Sequence, residues 1–216
     1  MQRIVRLFVL CLAALPLVAQ ELTPDQLWDA LMTGNKQFVA GTIEYEGLKK
    51  LREDLADEQT PPVAILACAD SRVPPELIFN QSLGALFVVR EAGNIADEYS
   101  IASLEFALLN DWGTKLIVVL AHEDCGAVKS ALVSDDPRTP SLLTLVQRIR
   151  TSFYGLPWDP NPEDKRILLR ATEANAKASA AWLTAQSLVI RKAVAGNKVK
   201  IVPAYYAFDG TVRKIE

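Results

Sequence analysis

The side chains best suited to bind a soft metal ion are concentrated in two short segments of this 216-residue chain. One segment contains the only histidine, His122, three residues before Cys125, and the other contains Cys68. Two thiolates and one imidazole form one of the known sets of three protein ligands in catalytic zinc sites, where a fourth position stays open. These three residues are therefore candidate ligands of a catalytic Zn²⁺ ion.

Both segments follow apolar runs that predict strands of a parallel sheet. Residues 63–67 form a short continuous apolar run before Cys68, and residues 116–120 form a similar run before His122. Such runs are typical of strands that are buried on both faces. Because ligands bind outside the carboxyl ends of the strands in open α/β sheets, we expect both segments to meet at one edge. A helix predicted after Cys125 would place that thiol at a helix N-terminus, which favours the thiolate.

Helix and strand signals alternate along the rest of the chain. The sequence Thr-Pro-Asp-Gln at residues 23–26 predicts a helix start with a capping box. Further signals predict strands over 85–89, 199–202 and 211–215, helices over 100–109 and 163–195, and a loop over 135–140. This alternation predicts an α/β fold with a mainly parallel four- to five-stranded sheet flanked by helices.

The N-terminus has the layout of a secretory signal peptide. Arg3 and Arg6 precede an uncharged apolar run over residues 7–18, and Ala19 offers a small residue for cleavage. The run is shorter than the roughly 20 residues of a membrane span, although a retained anchor is an alternative. We expect residues 1–19 to be removed, residues 20–216 to form one catalytic domain, and the protein to be exported to the periplasm or secreted.

Charge limits the partners of the mature chain. Removal of Arg3 and Arg6 with the signal leaves 21 basic residues against 26 acidic ones, a net charge of −5. No basic stripe remains that would bind phosphate groups, so we expect neither a nucleic acid nor an anionic membrane surface as a partner. We also expect no membrane span in the mature chain.

The two ligand segments and their neighbours resemble the β-class carbonic anhydrases. Cys-Ala-Asp-Ser-Arg-Val-Pro at residues 68–74 matches the first motif of that family, and His-Glu-Asp-Cys-Gly at residues 122–126 matches the second. Residues 87–94 and 103–105 also look like family segments. The resemblance extends from about Thr23 to the C-terminus, and several separate motifs occur in the order of the family.

The resemblance implies an activity, a cofactor and an assembly. It implies that Cys68, His122 and Cys125 bind Zn²⁺ and that the enzyme interconverts CO₂ and bicarbonate by means of zinc-bound hydroxide. It further implies the α/β fold of the family and a homodimer or a dimer of dimers. Carbonyl sulfide or carbon disulfide is an alternative substrate on the same metal site.

A carboxylate and a guanidinium follow Cys68, at Asp70 and Arg72. Beside a metal, a carboxylate can either orient the attacking water or bind the metal and exclude that water. Arginine can hold a carboxylate away through two parallel hydrogen bonds, which lysine cannot reproduce. The resemblance implies that this catalytic pair opens and closes the fourth metal position; a surface ion pair is the alternative.

Further roles near the metal rest on the resemblance. It implies that Phe87 and Ala92 line a small apolar substrate pocket, with Gln81 as a polar contact and Gly93 and Gly126 nearby. A phenylalanine on a buried strand is also a common core residue, and Gly93 is also compatible with a simple tight turn. Among the charged neighbours, we expect Arg90 to be structural, for instance by pairing with Glu105. We expect Glu123 and Asp124 to be solvated loop acids, although Asp124 could orient a neighbour.

Two other interpretations of the cysteines remain open. In an oxidising compartment, two cysteines often form a disulfide. A non-catalytic zinc-binding protein or a thiol–disulfide protein would use the same residues. A structural zinc site more often has four Cys/His ligands, which the mature chain cannot supply.

Overall fold

The computed structural model describes residues 22–43, 45–133, 139–154 and 163–216. The predicted signal at residues 1–19 and most of the predicted loop at 135–140 lie outside these described residues. Within the described ranges, no helix is both long and apolar enough to cross a membrane.

Five strands form a single sheet in the order β2-β1-β3-β4-β5. The strands are β1 (Val63–Ala67), β2 (Leu86–Arg90), β3 (Leu116–His122), β4 (Lys200–Tyr206) and β5 (Val212–Lys214). The first four strands are parallel to one another, and β5 pairs antiparallel with β4. The predicted α/β fold with a mainly parallel sheet is confirmed.

Helices flank the sheet. They are α1 (Pro24–Val39), α2 (Leu48–Asp54), α3 (Pro75–Ile78), α4 (Glu98–Leu109), α5 (Gly126–Leu132), α6 (Pro140–Arg150), α7 (Lys165–Gln186) and α8 (Leu188–Ala195), with short 3₁₀ turns at Ala92–Asn94 and Thr151–Phe153. The predicted capping box is present, because Thr23 Oγ1 accepts the backbone N–H of Gln26 and the Gln26 side chain accepts the N–H of Thr23. Ser187 separates α7 from α8, since its hydroxyl accepts the N–H of Ile190 and starts a new helix.

The strand β4 continues past its predicted end at residue 202. The carbonyl of Pro203 accepts the N–H of Ile215, so the missing N–H of the proline faces the side of β5. The last residue of β5, Lys214, pairs with Ala204, which follows the proline. The proline therefore interrupts no bond to β3, and the strand continues to Tyr206.

Hydrophobic residues cover both faces of the sheet. Successive residues of β1 alternate between the faces, and all five are buried. Val63, Ile65 and Ala67 pack in one cluster with Leu27 and Leu31 of α1. Ala64 and Leu66 pack in the other cluster with Leu104 of α4 and with Leu183 and Ile190 of the C-terminal helices. This double burial makes the central strands rigid supports for the loops at their carboxyl ends.

Candidate metal centre

The carboxyl ends of two paired strands bring Cys68 and His122 together. Cys68 follows β1 directly, His122 is the last residue of β3, and Ala67 lies opposite Leu120 in the register between them. Cys125 precedes the first turn of α5. The potential ligand atoms of the three residues all lie within 4.8 Å of one another, and all three residues are buried. The expected convergence at one edge of the sheet is confirmed.

The imidazole of His122 is oriented for metal binding. Its Nδ1 lies 2.7 Å from the carbonyl oxygen of Glu123, an acceptor that requires the proton to be on Nδ1. The other nitrogen, Nε2, therefore carries a free lone pair. It is buried and has no hydrogen-bond partner among the described residues. A buried polar atom without a partner is costly, so a metal ion at this point would satisfy it.

Cys68 and Cys125 are free thiols and do not form a disulfide. A hydrogen bond from the Cys125 thiol lowers the pKa of Cys68 well below its usual value, and the backbone N–H of Gly93 contributes to the same effect. The neighbouring Cys68 sulfur raises the pKa of Cys125, and burial raises it further. The pair by itself therefore favours a single thiolate, and a cation between the sulfurs would let both ionise. The donor set fits a soft divalent metal.

Asp70 and Arg72 form a two-pronged ion pair beside these ligands. Arg72 Nε donates to Oδ1 of Asp70 at 2.9 Å, Nη2 donates to Oδ2 at 2.8 Å, and the Arg72 backbone N–H also donates to Oδ1. These hydrogen bonds lower the pKa of Asp70 to about 2. Oδ2 of Asp70 lies 4.0 Å from Nε2 of His122, so the carboxylate lies next to the potential ligand atoms.

Arg90 has a structural role, as expected, but it fixes the backbone of this loop. Its Nε donates to the carbonyl of Cys68 at 3.0 Å, and its Nη2 donates to the carbonyl of Asp70 at 2.5 Å. The expected pairing with Glu105 is wrong, because Glu105 accepts the Ser187 hydroxyl instead. The position of Arg90 at the end of β2, beside β1, was the available signal.

Glu123 and Phe208 also lie at the site, and the first was misjudged from the sequence. Glu123 was expected to be a solvated loop acid, yet its Oε2 accepts the backbone N–H of Phe208 at 2.8 Å. The ring of Phe208 lies over the guanidinium of Arg72, with 4.4 Å between the guanidinium carbon and the ring centroid. Asp124 contacts Lys129, with 2.5 Å between Oδ1 and Nζ, and thereby orients a neighbour. No sequence signal connected Phe208 to the site.

Comparisons with known proteins agree with this geometry. A sequence model of the carbonic anhydrase family matches residues 63–212. Carbonic anhydrase 2 of Mycobacterium tuberculosis is 36% identical over 197 residues, which cover 86% of this chain and 89% of the relative. A structure of tetrameric β-carbonic anhydrases from Sordaria macrospora superposes with a TM-score of 0.70 at 25% identity, covering 88% of this chain and 97% of the other. The chain belongs to the β-carbonic anhydrase family.

A second bacterial relative extends this result. The carbonic anhydrase of Mycolicibacterium smegmatis is 35% identical over 198 residues, covering 88% of this chain and 92% of the relative. Both relatives are named as enzymes and are matched over most of their length. The β-carbonic anhydrase resemblance inferred from residues 68–74 and 122–126 is confirmed.

Three of the five predicted pocket residues, Ala92, Gly93 and Gly126, lie at the candidate metal centre or in the turn beside it. Gly93 belongs to the 3₁₀ turn that starts at Ala92, its backbone N–H donates to Cys68 Sγ at 3.2 Å, and its φ is 69°. The side chain of Asn175 fixes the turn by donating to the Gly93 carbonyl at 2.6 Å. Gly126 starts α5, and a Cβ added there would meet no atom within 4 Å. The turn at Gly93 is therefore also a metal-site contact.

The remaining two of the five, Gln81 and Phe87, lie elsewhere in the subunit. Gln81 donates to the carbonyl of Phe79, and its amide lies close to Gly34 of α1. Phe87 lies opposite Ala64 in β1, four residues before Cys68, which is about 13 Å along the strand. Its ring packs against Trp112. The folded subunit does not bring Phe87 to the ligands, and both pocket roles stay predictions.

Proposed function

We propose that this β-carbonic anhydrase catalyses the reversible hydration of CO₂ to bicarbonate and a proton, with Zn²⁺ held by Cys68, His122 and Cys125. The observation that carries the proposal is Nε2 of His122, which has no hydrogen-bond partner in the described part of the chain and lies close to two sulfurs and to the carboxylate of Asp70. When bound, Zn²⁺ lowers the pKa of a water molecule and so supplies the nucleophile at near-neutral pH.

Asp70 acts as a hydrogen-bond acceptor in this proposal. Because Arg72 keeps the pKa of the carboxyl at about 2, Asp70 is ionised at every physiological pH and can only accept. It can therefore orient the attacking nucleophile by accepting its proton in a hydrogen bond. The two-pronged contact with Arg72 holds both carboxylate oxygens, which supports the role of Arg72 in keeping the fourth metal position open.

The composition of the site predicts how activity depends on pH. The thiolates of Cys68 and Cys125 offset the charge of a divalent cation, whereas three neutral imidazoles would not. Less positive charge acidifies water less, so we expect activity to increase from pH 6 to pH 9. Because His122 is the only histidine, the proton must leave through water, buffer or another type of side chain.

Stopped-flow CO₂ hydration by Asp70→Asn tests the proposal. The variant should lose most of its activity at every pH, since an amide can turn its NH₂ group toward the nucleophile. Asp164→Asn is a matched control, because Asp164 binds Arg166 with the same spacing and the same three donors outside the metal centre. Equal activity of Asp70→Asn and wild type would contradict the proposal. Faster hydrolysis of carbonyl sulfide than of CO₂ would favour the alternative substrate.

We further propose that the chain forms a homodimer or a dimer of dimers. The Sordaria enzymes are tetrameric, and this chain carries exposed apolar residues on α4, where Phe106 is 55% and Leu109 is 64% exposed. Exposed apolar patches are typical of protein–protein contacts. Sedimentation of wild type and Leu109→Glu tests this surface; a monomeric wild type would contradict it.

We also propose that the mature protein is exported after cleavage near Ala19. The charge and apolar layout of residues 1–19 supports this proposal. N-terminal sequencing of the protein from its native cells tests it, since a chain that still starts at Met1 would contradict cleavage.

A further inference from the structure

The orientation of Arg72 needs an explanation, because its side chain is long and 49% exposed. An exposed arginine has many rotamers, and its two-pronged contact with Asp70 requires one of them. Hydrogen bonds to Asp70 alone leave the outer part of the guanidinium open to water. Among the described residues, the guanidinium also makes a hydrogen bond and an ion pair with Asp124 and a ring contact with Phe208.

Asp124 holds Arg72 only weakly. The carboxylate Oδ2 lies 3.9 Å from Arg72 Nη1, and the backbone carbonyl of Asp124 accepts from Nη2 at 3.5 Å. The other oxygen of the carboxylate is 2.5 Å from Lys129 Nζ, so Lys129 is its main partner. At a half-exposed position, a separation of 3.9 Å contributes little.

Phe208 is, by contrast, firmly positioned against the arginine. Its backbone N–H donates to Glu123 Oε2 at 2.8 Å, and the backbone N–H of Glu123 donates to the Tyr206 carbonyl at 2.8 Å. Its ring packs edge-on against Tyr206 and lies 6.2 Å from the imidazole of His122, measured between centroids. The ring is thus anchored to the ends of the same two strands, β3 and β4, that support His122.

We propose that Phe208 is a positioning residue for the Asp70–Arg72 pair. Its ring covers one face of the Arg72 guanidinium by a cation–π contact and keeps the guanidinium in the orientation that holds both oxygens of Asp70. The effect on turnover rests on the proposed function, in which Asp70 must stay off the metal. The effect on the orientation of the Arg72 side chain does not depend on the proposed function.

Three variants test this proposal. Phe208→Leu removes the aromatic face and keeps an apolar side chain, and Phe208→Tyr keeps the aromatic face. Trp182→Leu is the matched control, because Trp182 covers Arg148 at 4.0 Å and is 39% exposed, against 38% for Phe208. The control removes the same kind of contact outside the metal centre.

The first readout is the NMR signal of the Arg72 Nε–H group in metal-free protein. The ring should shift this signal and slow its exchange with water in wild type and in Phe208→Tyr. In Phe208→Leu the ring-induced shift should vanish and exchange should accelerate about two- to fivefold, as expected for a half-exposed cation–π contact. An Arg72 signal that is unchanged in Phe208→Leu would overturn the proposal.

The second readout is CO₂ hydration by the zinc-loaded variants. In Phe208→Leu, kcat and kcat/KM should fall together by about two- to fivefold with KM unchanged, because a smaller fraction of molecules has the pair in place. Phe208→Tyr and Trp182→Leu should keep wild-type activity. An equal loss in Trp182→Leu, or no rescue in Phe208→Tyr, would overturn the positioning role. Lack of CO₂ hydration in wild type would instead contradict the proposed function and leave the NMR result to decide this inference.

Discussion

Replacement of Gly93 by alanine changes the turn that contacts the metal ligands. Gly93 has a φ of 69°, in the left-handed region that residues other than glycine rarely adopt. A Cβ at this position would lie 2.8 Å from Ile149 Cδ1 and 3.2 Å from Ala127 Cβ. Ile149 is fully buried, so its methyl group would have to shift within the core.

The expected cost follows from these two effects. The left-handed conformation costs alanine about 1–2 kcal/mol. Crowding in a packed core costs about 1–3 kcal/mol. Alanine also lowers the conformational entropy of the unfolded chain, which offsets about 0.4–1 kcal/mol of this cost. We therefore expect Gly93→Ala to lower the free energy of unfolding by about 1–5 kcal/mol, centred on about 3 kcal/mol, against the 5–15 kcal/mol of an ordinary domain.

Two other glycines separate the cost of the left-handed conformation from the cost of crowding. Gly113 has a φ of 77° but no atom within 4 Å of an added Cβ, so Gly113→Ala should cost only about 1 kcal/mol. Gly126 has neither feature, and Gly126→Ala should change stability by less than about 1 kcal/mol. Urea unfolding of metal-free protein measures all three, since bound metal would add its own stabilisation. Equal losses in Gly93→Ala and Gly113→Ala would refute the contribution of Ile149.

Two further predictions concern the pair beside the metal. Arg72→Lys should reduce kcat/KM for CO₂ about tenfold, because the ammonium holds only one oxygen of Asp70. The control Arg166→Lys should change kcat/KM less than about twofold. Stopped-flow assays measure both variants, and equal effects would contradict the two-pronged role of Arg72. The pKa of Asp70 is about 2 in the folded protein against 3.8 ordinarily, so the carboxylate contributes stability above pH 4 that is lost as the pH falls toward 2. In urea unfolding, the free energy of unfolding of wild type should exceed that of Asp70→Asn, and this difference should shrink by about 2 kcal/mol between pH 6 and pH 2.5. A difference that does not depend on pH would contradict this pKa.

The elements of the fold were predictable where the signal is local. Residues 63–67 are continuously apolar, and the observed β1 has the same bounds as the prediction. The helix after Thr23 follows from a capping box that is contained in four residues. The end of β4 was not predictable, because the effect of Pro203 depends on where the antiparallel strand β5 ends, and that is a property of the assembled sheet.

In the candidate site, too, the residues with local sequence signals were predictable and those that depend on long-range contacts were not. Cys68 and His122 follow strands that are visible in the sequence, and the rule that parallel strands end at a common edge brings them together. The roles of Arg90, Glu123 and Phe208 depend instead on contacts between segments that are distant in the chain. Such contacts depend on strand register, so residue type alone could not identify these partners.

Titration of Zn²⁺ into metal-free protein, followed by stopped-flow CO₂ hydration at pH 9, tests the central claim most directly. A site with three protein ligands and one open position predicts activity that rises in proportion to bound zinc and saturates at one zinc per chain. A His122→Ala variant should bind zinc far more weakly and stay inactive over the same titration. Hydration that is absent in the zinc-saturated protein, or equally fast without zinc, would contradict the claim.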